Sequence, residues 1–507
     1  MPLTLPELSK HLWAAADMMR GAIDSSEYKH YIFGLLFYRR LCDVWCEEYE
    51  QNNGHHTRFT IPFGCLWGEE PRSFTQQNWP VDAAGLPLPR HVREKGDGVG
   101  REIRRALLKI EEANEALQGI FQDVDFSDPE RFSDRLLNQL LDHFEHYSLR
   151  KADVAPSMLG DAYEYLIKMF ADDGGSRGGE FYTPSAVVRL MVEILDPKPG
   201  MDVYDPTCGS GGMLLETMNH MRRQNHSPNS ISLYGQEKNR NTWTICRIAL
   251  FLNDLEKTDI RRGDTILEPR FLNEDGGLRT FDIVIANPPF SLKKWGHAVW
   301  KKKGGEPFGR AKYGVPPKGY GDFAFVQHMI ASLKEKGRMG VVLPNGVLFR
   351  GGAERTIRKG LLEEDIIEAI VTLGNNLFYG ASIPATILFL NKNKPKKKKK
   401  RVLIINAELE LFTGVAQSHL SEQNVQRIVS AVQAYKDVPY FARVVHHAEI
   451  EENDYNLNTV RYVRHTPPPP PVNIPKVYGQ IRKLQTELRG YETELGIVMK
   501  ELGYDAL

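Results

Sequence analysis

At 507 residues the chain exceeds what a single hydrophobic core supports, which points to two or three domains. Its 41% hydrophobic and 26% charged content excludes a disordered, fibrous or membrane-embedded chain. Sixty-five basic residues offset 65 acidic ones, so a surface basic throughout is excluded, and any nucleic-acid contact must come from local patches or be shared with a partner.

Five scattered cysteines (Cys42, Cys46, Cys65, Cys208, Cys246) show no paired CxxC spacing. That argues against a zinc site or a disulfide framework and for a reducing, cytoplasmic setting. No basic leader precedes an apolar stretch, and no run approaches the roughly 18 apolar residues of a membrane span, so no membrane association is expected.

Residues 1–170 read as a mostly helical domain. Leu8, Leu12, Ala15 and Met19 recur at helical spacing, and Tyr28, Ile32, Leu35 and Leu36 repeat it after the cap-like Asp24, Ser25 and Ser26. The Gly-, Pro- and Asn-rich stretch 51–98 interrupts this pattern and is expected to wrap the surface. Helical periodicity returns over 101–121, 128–147 and 157–170. A bundle packed on the next domain is expected. Lys29, His30, Tyr38, Arg39 and Arg40 form a basic, aromatic face open to DNA or simply to water.

From 171 to 465 the pattern is that of an α/β domain. A flexible loop, Gly174 to Gly179 in sequence, precedes Glu180, Phe181, Tyr182, Thr183 and Pro184. Ser185 or Thr183 is placed to cap a helix beginning near 186, with Pro184 in its first turn. The aromatic pair is placed to close over a ligand. After that helix, a short strand over 201–205 leads into Pro206, Thr207, Cys208, Gly209, Ser210, Gly211 and Gly212, and then another helix. Strand, glycine turn and helix is the order in which a doubly wound sheet holds a nucleotide at strand carboxyl ends. The turn fits neither GxGxxG nor a P-loop, and Asp205 at its start disfavours a pyrophosphate and favours an ammonium group. The next strand ends at Gln236 and Glu237, whose carboxylate is placed to accept from ribose hydroxyls. Asp264 stands where the third strand should end, within reach of an adenine amino group.

The most telling stretch is Asp282, Ile283, Val284, Ile285, Ala286, Asn287, Pro288, Pro289, Phe290. The apolar, β-branched run reads as a buried strand, and two prolines stop it because proline cannot donate to a ladder. The tip presents the Asn287 amide, the Pro288 carbonyl and the Phe290 ring. These are two acceptors for an exocyclic amine and one face for a flat heterocycle. Residues 291–320 follow with eight basic side chains against one acid, Glu306, and with Trp295, Trp300, Phe308 and Tyr313 interleaved. A mobile loop contacting phosphates and stacking bases is expected there. Strands are expected over 338–344, 368–373 and 384–391, with another ending near 407. The basic run 394–401 is expected to be an exposed hairpin loop. Five prolines at 467–471 make a stiff linker, and apolar residues from Val477 to Val498 recur at helical spacing, so 466–507 reads as a linker and partner-binding helix.

The motif beginning at Asp205 and the Asn-Pro-Pro-Phe motif resemble the cofactor and catalytic motifs of the amino-DNA methyltransferases. Glu180, Phe181, Tyr182, Thr183 and Pro184 lying upstream resemble the permuted arrangement of the γ group. With the N-terminal helices, the segments 340–350 and 454–458 and the C-terminal helix, nearly the whole chain resembles the modification subunit of type I restriction–modification systems. The run 394–401 and the stretch 51–98, with His55, Trp67 and Trp79, match no part of that pattern. The resemblance implies an α/β doubly wound S-adenosylmethionine-dependent methyltransferase fold, mostly parallel with an antiparallel edge strand, between an α-helical N-terminal domain and a C-terminal helical tail. It implies methyl transfer from S-adenosylmethionine to adenine N6 in double-stranded DNA. A separate specificity subunit would choose the site, with two modification subunits per specificity subunit, and a restriction subunit would add cleavage.

It also implies residue roles. Glu180, Phe181, Tyr182, Thr183, Pro184 and Ser185 would line the cofactor pocket, and Gly209, Ser210, Gly211 and Gly212 would lie against the methionine part. Asp205 would hold the ammonium, Glu237 the ribose and Asp264 the adenine. Asn287 and the Pro288 carbonyl would accept from the target amine, Pro289 would complete the rigid tip, and Phe290 would stack on a flipped base. No metal is implied. Three other readings compete with this one. A glutamine-amide protein methyltransferase usually has Tyr in place of Phe290 and a shorter chain. A dehydrogenase needs the dinucleotide glycine spacing. An inactive DNA-binding assembly scaffold has no need of an intact tip.

Overall fold

A computed structural model describes residues 3–24, 27–52, 57–68, 91–93, 98–122, 124–154, 158, 159, 162, 183–253, 257–302, 305–378, 384–412, 418–466 and 473–504. Two compact units divide between Val463 and Arg464.

The larger unit is built on one sheet of nine strands: β1 (Asp202–Asp205), β2 (Ser232–Glu237), β3 (Thr258–Arg262), β4 (Phe281–Ala286), β5 (Leu333–Pro344), β6 (Ile367–Leu373), β7 (Ala385–Asn391), β8 (Arg401–Ala407) and β9 (Ala442–His446). Their spatial order is β3-β2-β1-β4-β5-β7-β6-β8-β9. All neighbours from β3 to β5 pair in parallel, as do β6 and β8. The expected antiparallel edge strand is β9, which runs against β8. A second reversed strand, β7, lies inside the sheet between β5 and β6.

Helices cover both faces, so the strands read as nearly continuous apolar runs. Alternate residues of β4 show why. Ile283 and Ile285 pack with the helices Ser185–Leu195 and Gly212–Arg223, while Val284 and Ala286 pack with the helix Asp322–Ala331 on the other face. The strand order turns back at β1, which sits between β2 and β4. A doubly wound sheet opens a crevice at that switch point, outside the strand carboxyl ends.

The N-terminal helices Leu5–Met18, Tyr28–Gln51, Val99–Ala113 and Asp134–Glu145 share one apolar core. That core takes in Ile245 and Ile248 of the helix Arg240–Leu252, and Arg247 ties the two together by donating to the Gln118 carbonyl at 2.6 Å. The helical region and the sheet therefore belong to the same unit.

Several expectations are corrected. Tyr38 and Arg40 face neither DNA nor water: both are buried, and they donate to the carbonyls of Cys65 and Leu149. The described parts of 51–98 do not merely wrap the surface, since Cys65 and Trp67 are wholly buried. The segment after Phe290 is packed, not loose. Trp295 and Trp300 form a small core with Ile266, Ala324 and Phe325, while Lys293, Lys294, Lys301 and Lys302 remain exposed. The run 394–401 is no hairpin, because β6 separates β7 from β8. Lys394 at its start is buried and donates to Asp365 and to the carbonyls of Ile367 and Arg401. The expected cap at Ser25 and Ser26, most of the helix expected over 157–170 and the 467–471 linker lie outside the described residues.

The smaller unit contains the helix Ile474–Glu501, on which no residue is buried. Leu484, Leu488, Tyr491 and Leu495 are each more than half exposed. Among the described residues no helix is long and apolar enough to cross a membrane.

Candidate active site at the carboxyl ends of β1 and β4

β4 ends at Ala286, one residue before the tip, and the carboxyl end of the neighbouring β1 is Asp205. Register pairs Tyr204 with Val284, so these two strand ends stand side by side. A cavity there is lined by Thr183, Val188, Asp205, Thr207, the glycine turn and Asn287. The turn needs glycine at Gly211, where φ is +90° and an added Cβ would lie 2.9 Å from the Cys246 Sγ.

The electrostatics are unusual at Asp205. Its side chain accepts from the Thr207 N–H at 2.9 Å, yet burial pushes its pKa up to about 8, with the nearby Glu237 charge adding to the effect. A carboxyl so placed is short of a cation. Glu237 at the end of β2 braces the glycine turn by accepting from the Gly209 N–H at 3.1 Å, and from Asn239 N–H at 2.7 Å. Asp264 lies just beyond β3 and is engaged with its own turn: its carboxylate accepts from the Ile266 and Leu267 N–H groups at 3.0 Å and from Lys238 Nζ at 2.8 Å. The lining of the cavity includes neither Glu237 nor Asp264.

At the tip, the Asn287 amide nitrogen donates to the Thr183 Oγ1 at 2.8 Å. This fixes the orientation of the amide. Its oxygen is then buried without a hydrogen-bond partner among the described residues, an arrangement that costs about 1–3 kcal/mol unless a donor arrives. Pro288 is buried and Pro289 half-buried, while the Phe290 ring lies 5.9 Å from that of Phe378, tilted by 57°. Thr183 does not cap the following helix: that helix starts at Ser185 without a side-chain cap, and the threonine serves Asn287 instead. Glu180, Phe181 and Tyr182 lie outside the described residues.

The structure thus brings Thr183, Asp205, Gly209, Ser210, Gly212 and Asn287 to one cavity. Sequence reasoning passed over Thr207, Val188 and Met213, which also line it. Thr207 was findable, since it lies inside the motif, and its buried Oγ1 also lacks a partner. Val188 and Met213 carry no signal of their own, because each is one more apolar residue on an amphipathic helix.

Beneath the site, Arg310 joins three segments. Its guanidinium pairs with the Glu306 carboxylate at 2.5 Å and donates to the carbonyls of Thr265 at 3.1 Å and Ile266 at 2.7 Å. It also donates to His328 Nδ1 at 3.2 Å; burial and the Arg310 charge hold that histidine neutral, and its Nε2 lies 3.3 Å from the Tyr204 hydroxyl. The turn that carries Asp264 is therefore tied to the strand that carries Asp205.

Comparison with known proteins places the chain in a family. The N-6 DNA methylase family model matches residues 154–467, and the HsdM N-terminal domain model matches residues 8–144. The MjaIX methylase subunit of a type I restriction enzyme of Methanocaldococcus jannaschii is 29% identical over 90% of this chain and 84% of its own. The MjaVII methylase subunit of the same organism is 36% identical over 71% of this chain, which spans 63% of that protein. A type I restriction–modification methyltransferase subunit from Streptococcus thermophilus superposes with a TM-score of 0.75 at 30% identity, covering 91% of this chain and all of the other. The chain belongs to the N-6 DNA methylase family, as a methylase subunit of a type I restriction–modification system.

Proposed function

We propose that the cavity between β1 and β4 is the catalytic centre of an adenine-specific DNA methyltransferase, with the residue roles that follow. The observation that carries this reading is the Asn287 oxygen, buried and unpartnered beside a carboxyl short of a cation. The residues present fit S-adenosylmethionine: its α-ammonium answers Asp205, and its methionine chain suits the close backbone approach that the glycine turn allows. Glu237 is placed for the ribose. Asp264 reaches the adenine of the cofactor once Lys238 turns away. When bound, the cofactor supplies an electrophilic methyl group.

The chain's own work is to prepare the acceptor. An adenine amino nitrogen shares its lone pair with the ring and is a weak nucleophile. Asn287 Oδ1 and the Pro288 carbonyl accept its two N–H bonds from outside the ring plane, which favours a pyramidal nitrogen with a free lone pair. Phe290 stacks on the extrahelical base, since an amine inside a duplex cannot be approached in line. Catalysis is then positioning plus stabilisation of the positive charge that develops on nitrogen. No side chain bonds to the base.

DNA and the other subunits of the system are the partners. On the helix Ile474–Glu501, Val477, Ile481, Leu484, Leu488, Tyr491 and Leu495 alternate steps of four and three, the spacing of a coiled-coil seam. That seam suits the long helices of a specificity subunit, with two methylase subunits per specificity subunit and a cytoplasmic complex. Asn287→Ala is expected to lower kcat for tritiated methyl transfer to DNA by about 10²–10³-fold while cofactor binding survives, with Phe290→Ala weakening base capture. Normal turnover by Asn287→Ala would sink the mechanism.

A further inference from the structure

Ser291, directly after Phe290, is held in the left-handed region with φ of +51°, which a residue bearing a side chain rarely adopts. Its N–H donates at 2.8 Å to one oxygen of Asp322, the first residue of the helix Asp322–Ala331. Asp322 is 1% exposed, so this bond is sheltered from water. Its other oxygen lies 3.4 Å from the Arg350 guanidinium, which also pairs with the buried Glu354 at 3.1 Å and lies 4.2 Å over the Tyr320 ring. Arg350 arrives there from the turn Asn345–Leu348 that ends β5, the strand beside β4. The path is tight: a Cβ on Gly346 would sit 2.6 Å from the arginine Nε.

Two independent segments thus converge on the carboxyl-terminal side of the tip. The two prolines stiffen the tip itself, and Ser291 is the residue by which the chain leaves it. We propose that the Asp322–Arg350 ion pair positions the methyl-acceptor tip, by holding Ser291 in the turn that sets the direction of Phe290 and, through it, of Asn287. Asp322 is a positioning residue, acting through the backbone and touching neither cofactor nor base. This rests on the reading of the tip as the acceptor site.

The test uses the methylase assembled with its specificity subunit and compares Asp322→Ala, Asp322→Asn and the double variant Asp322→Ala with Ser291→Gly. Three quantities are read: kcat and KM for methyl transfer, calorimetric affinity for S-adenosylmethionine, and amide hydrogen exchange of the peptide spanning 287–292. Loss of the bond in Asp322→Ala is expected to lower kcat about 100-fold, the scale of a misplaced reacting group, with cofactor affinity unchanged and faster exchange at the tip. Ser291→Gly is expected to recover about tenfold of that loss, because glycine takes the left-handed conformation without help. Asp322→Asn keeps an acceptor but not the charge, and is expected to lose about tenfold, a charge-assisted bond being roughly twice as strong as a neutral one. Wild-type kcat and exchange in Asp322→Ala would overturn the proposal, as would a parallel loss of cofactor affinity. Should that variant not fold, wild-type behaviour of the isosteric Asp322→Asn would overturn it alone. If the wild-type complex transferred no methyl group, the functional reading would fail while the exchange data still decided whether Asp322 holds the tip.

Discussion

Titrating Asp205 should change how tightly the chain holds its cofactor. Moving this carboxyl from 3.8 to about 8 corresponds to on the order of 6 kcal/mol of preference for its protonated form, at about 1.36 kcal/mol per pH unit. An ammonium about 4 Å away returns roughly 4 kcal/mol at an effective dielectric constant near 20, enough to bring the bound carboxyl back toward the ordinary carboxylate range. The ligand-free site is then mostly protonated at pH 7 and the bound site ionised. The ligand's own α-amino group ionises near 7.7–8.0, so affinity is expected to peak close to pH 8 and to fall about twentyfold by pH 6. At pH 7 binding should release most of a proton, the carboxyl's loss being partly offset by uptake on the ligand's amine, read by calorimetry in buffers of different ionisation enthalpy. Asp205→Asn should bind weakly, without that rise from pH 6 to pH 8 and without the proton. The sign also fixes stability. The folded chain keeps a proton that the unfolded chain sheds near pH 4, so without cofactor this carboxyl makes stability fall as pH rises from about 4 to about 8. Wild-type affinity that stays flat from pH 6 to 8, with no proton released, would refute the reasoning.

Two further expectations concern the frame around the site. Arg310→Met strands Glu306, whose side chain is wholly buried, and should cost about 3–5 kcal/mol in denaturant unfolding. Adding Glu306→Gln should recover part of it, and additive losses would show that the pair does not act as one. Truncation after residue 471 should abolish co-elution with the specificity subunit on gel filtration, yet leave the melting temperature of the remaining unit unchanged, because no residue of the removed helix is buried. An intact complex would rule out that helix as the docking element.

What could be read in the sequence follows the range of the forces involved. Asp205, the glycine turn and the Asn-Pro-Pro-Phe tip were legible because their chemistry is local: prolines end a strand, glycines admit a ligand, and an acid at a strand end faces a crevice. β4 was legible as a buried run for the same reason. The segment after Phe290 misled because eight cations look like solvent-exposed charge. Arg310 in fact answers Glu306 four residues away, a pairing open to inspection, and also carbonyls 44 and 45 residues distant, which no local pattern reveals. Tyr38 and Arg40 were misread likewise, since the carbonyl of Leu149 that accepts from Arg40 lies 109 residues on. Nothing local to 394–401 says that β6 would come between its flanking strands. Strand order depends on long-range pairing, and two antiparallel strands in succession suggest a hairpin unless a third intrudes.

The reversal of β7 sorts charge along the molecule. Because β7 runs back from the end of the sheet that carries Asn287, the lysine run that follows it emerges at the opposite end, beside Asp365 at the start of β6. Seven residues of strand at about 3.3 Å each place it on the order of 20 Å from the tip, more than two screening lengths of roughly 8 Å at physiological salt. A duplex engaged at the edge that carries Asn287 would therefore feel little of the densest positive charge in the sequence. The exposed lysines that follow Phe290 are placed to supply a field that draws DNA to this edge, alone or together with another subunit. Overall neutrality is then compatible with a DNA enzyme, because its two strongest cationic stretches face different surroundings.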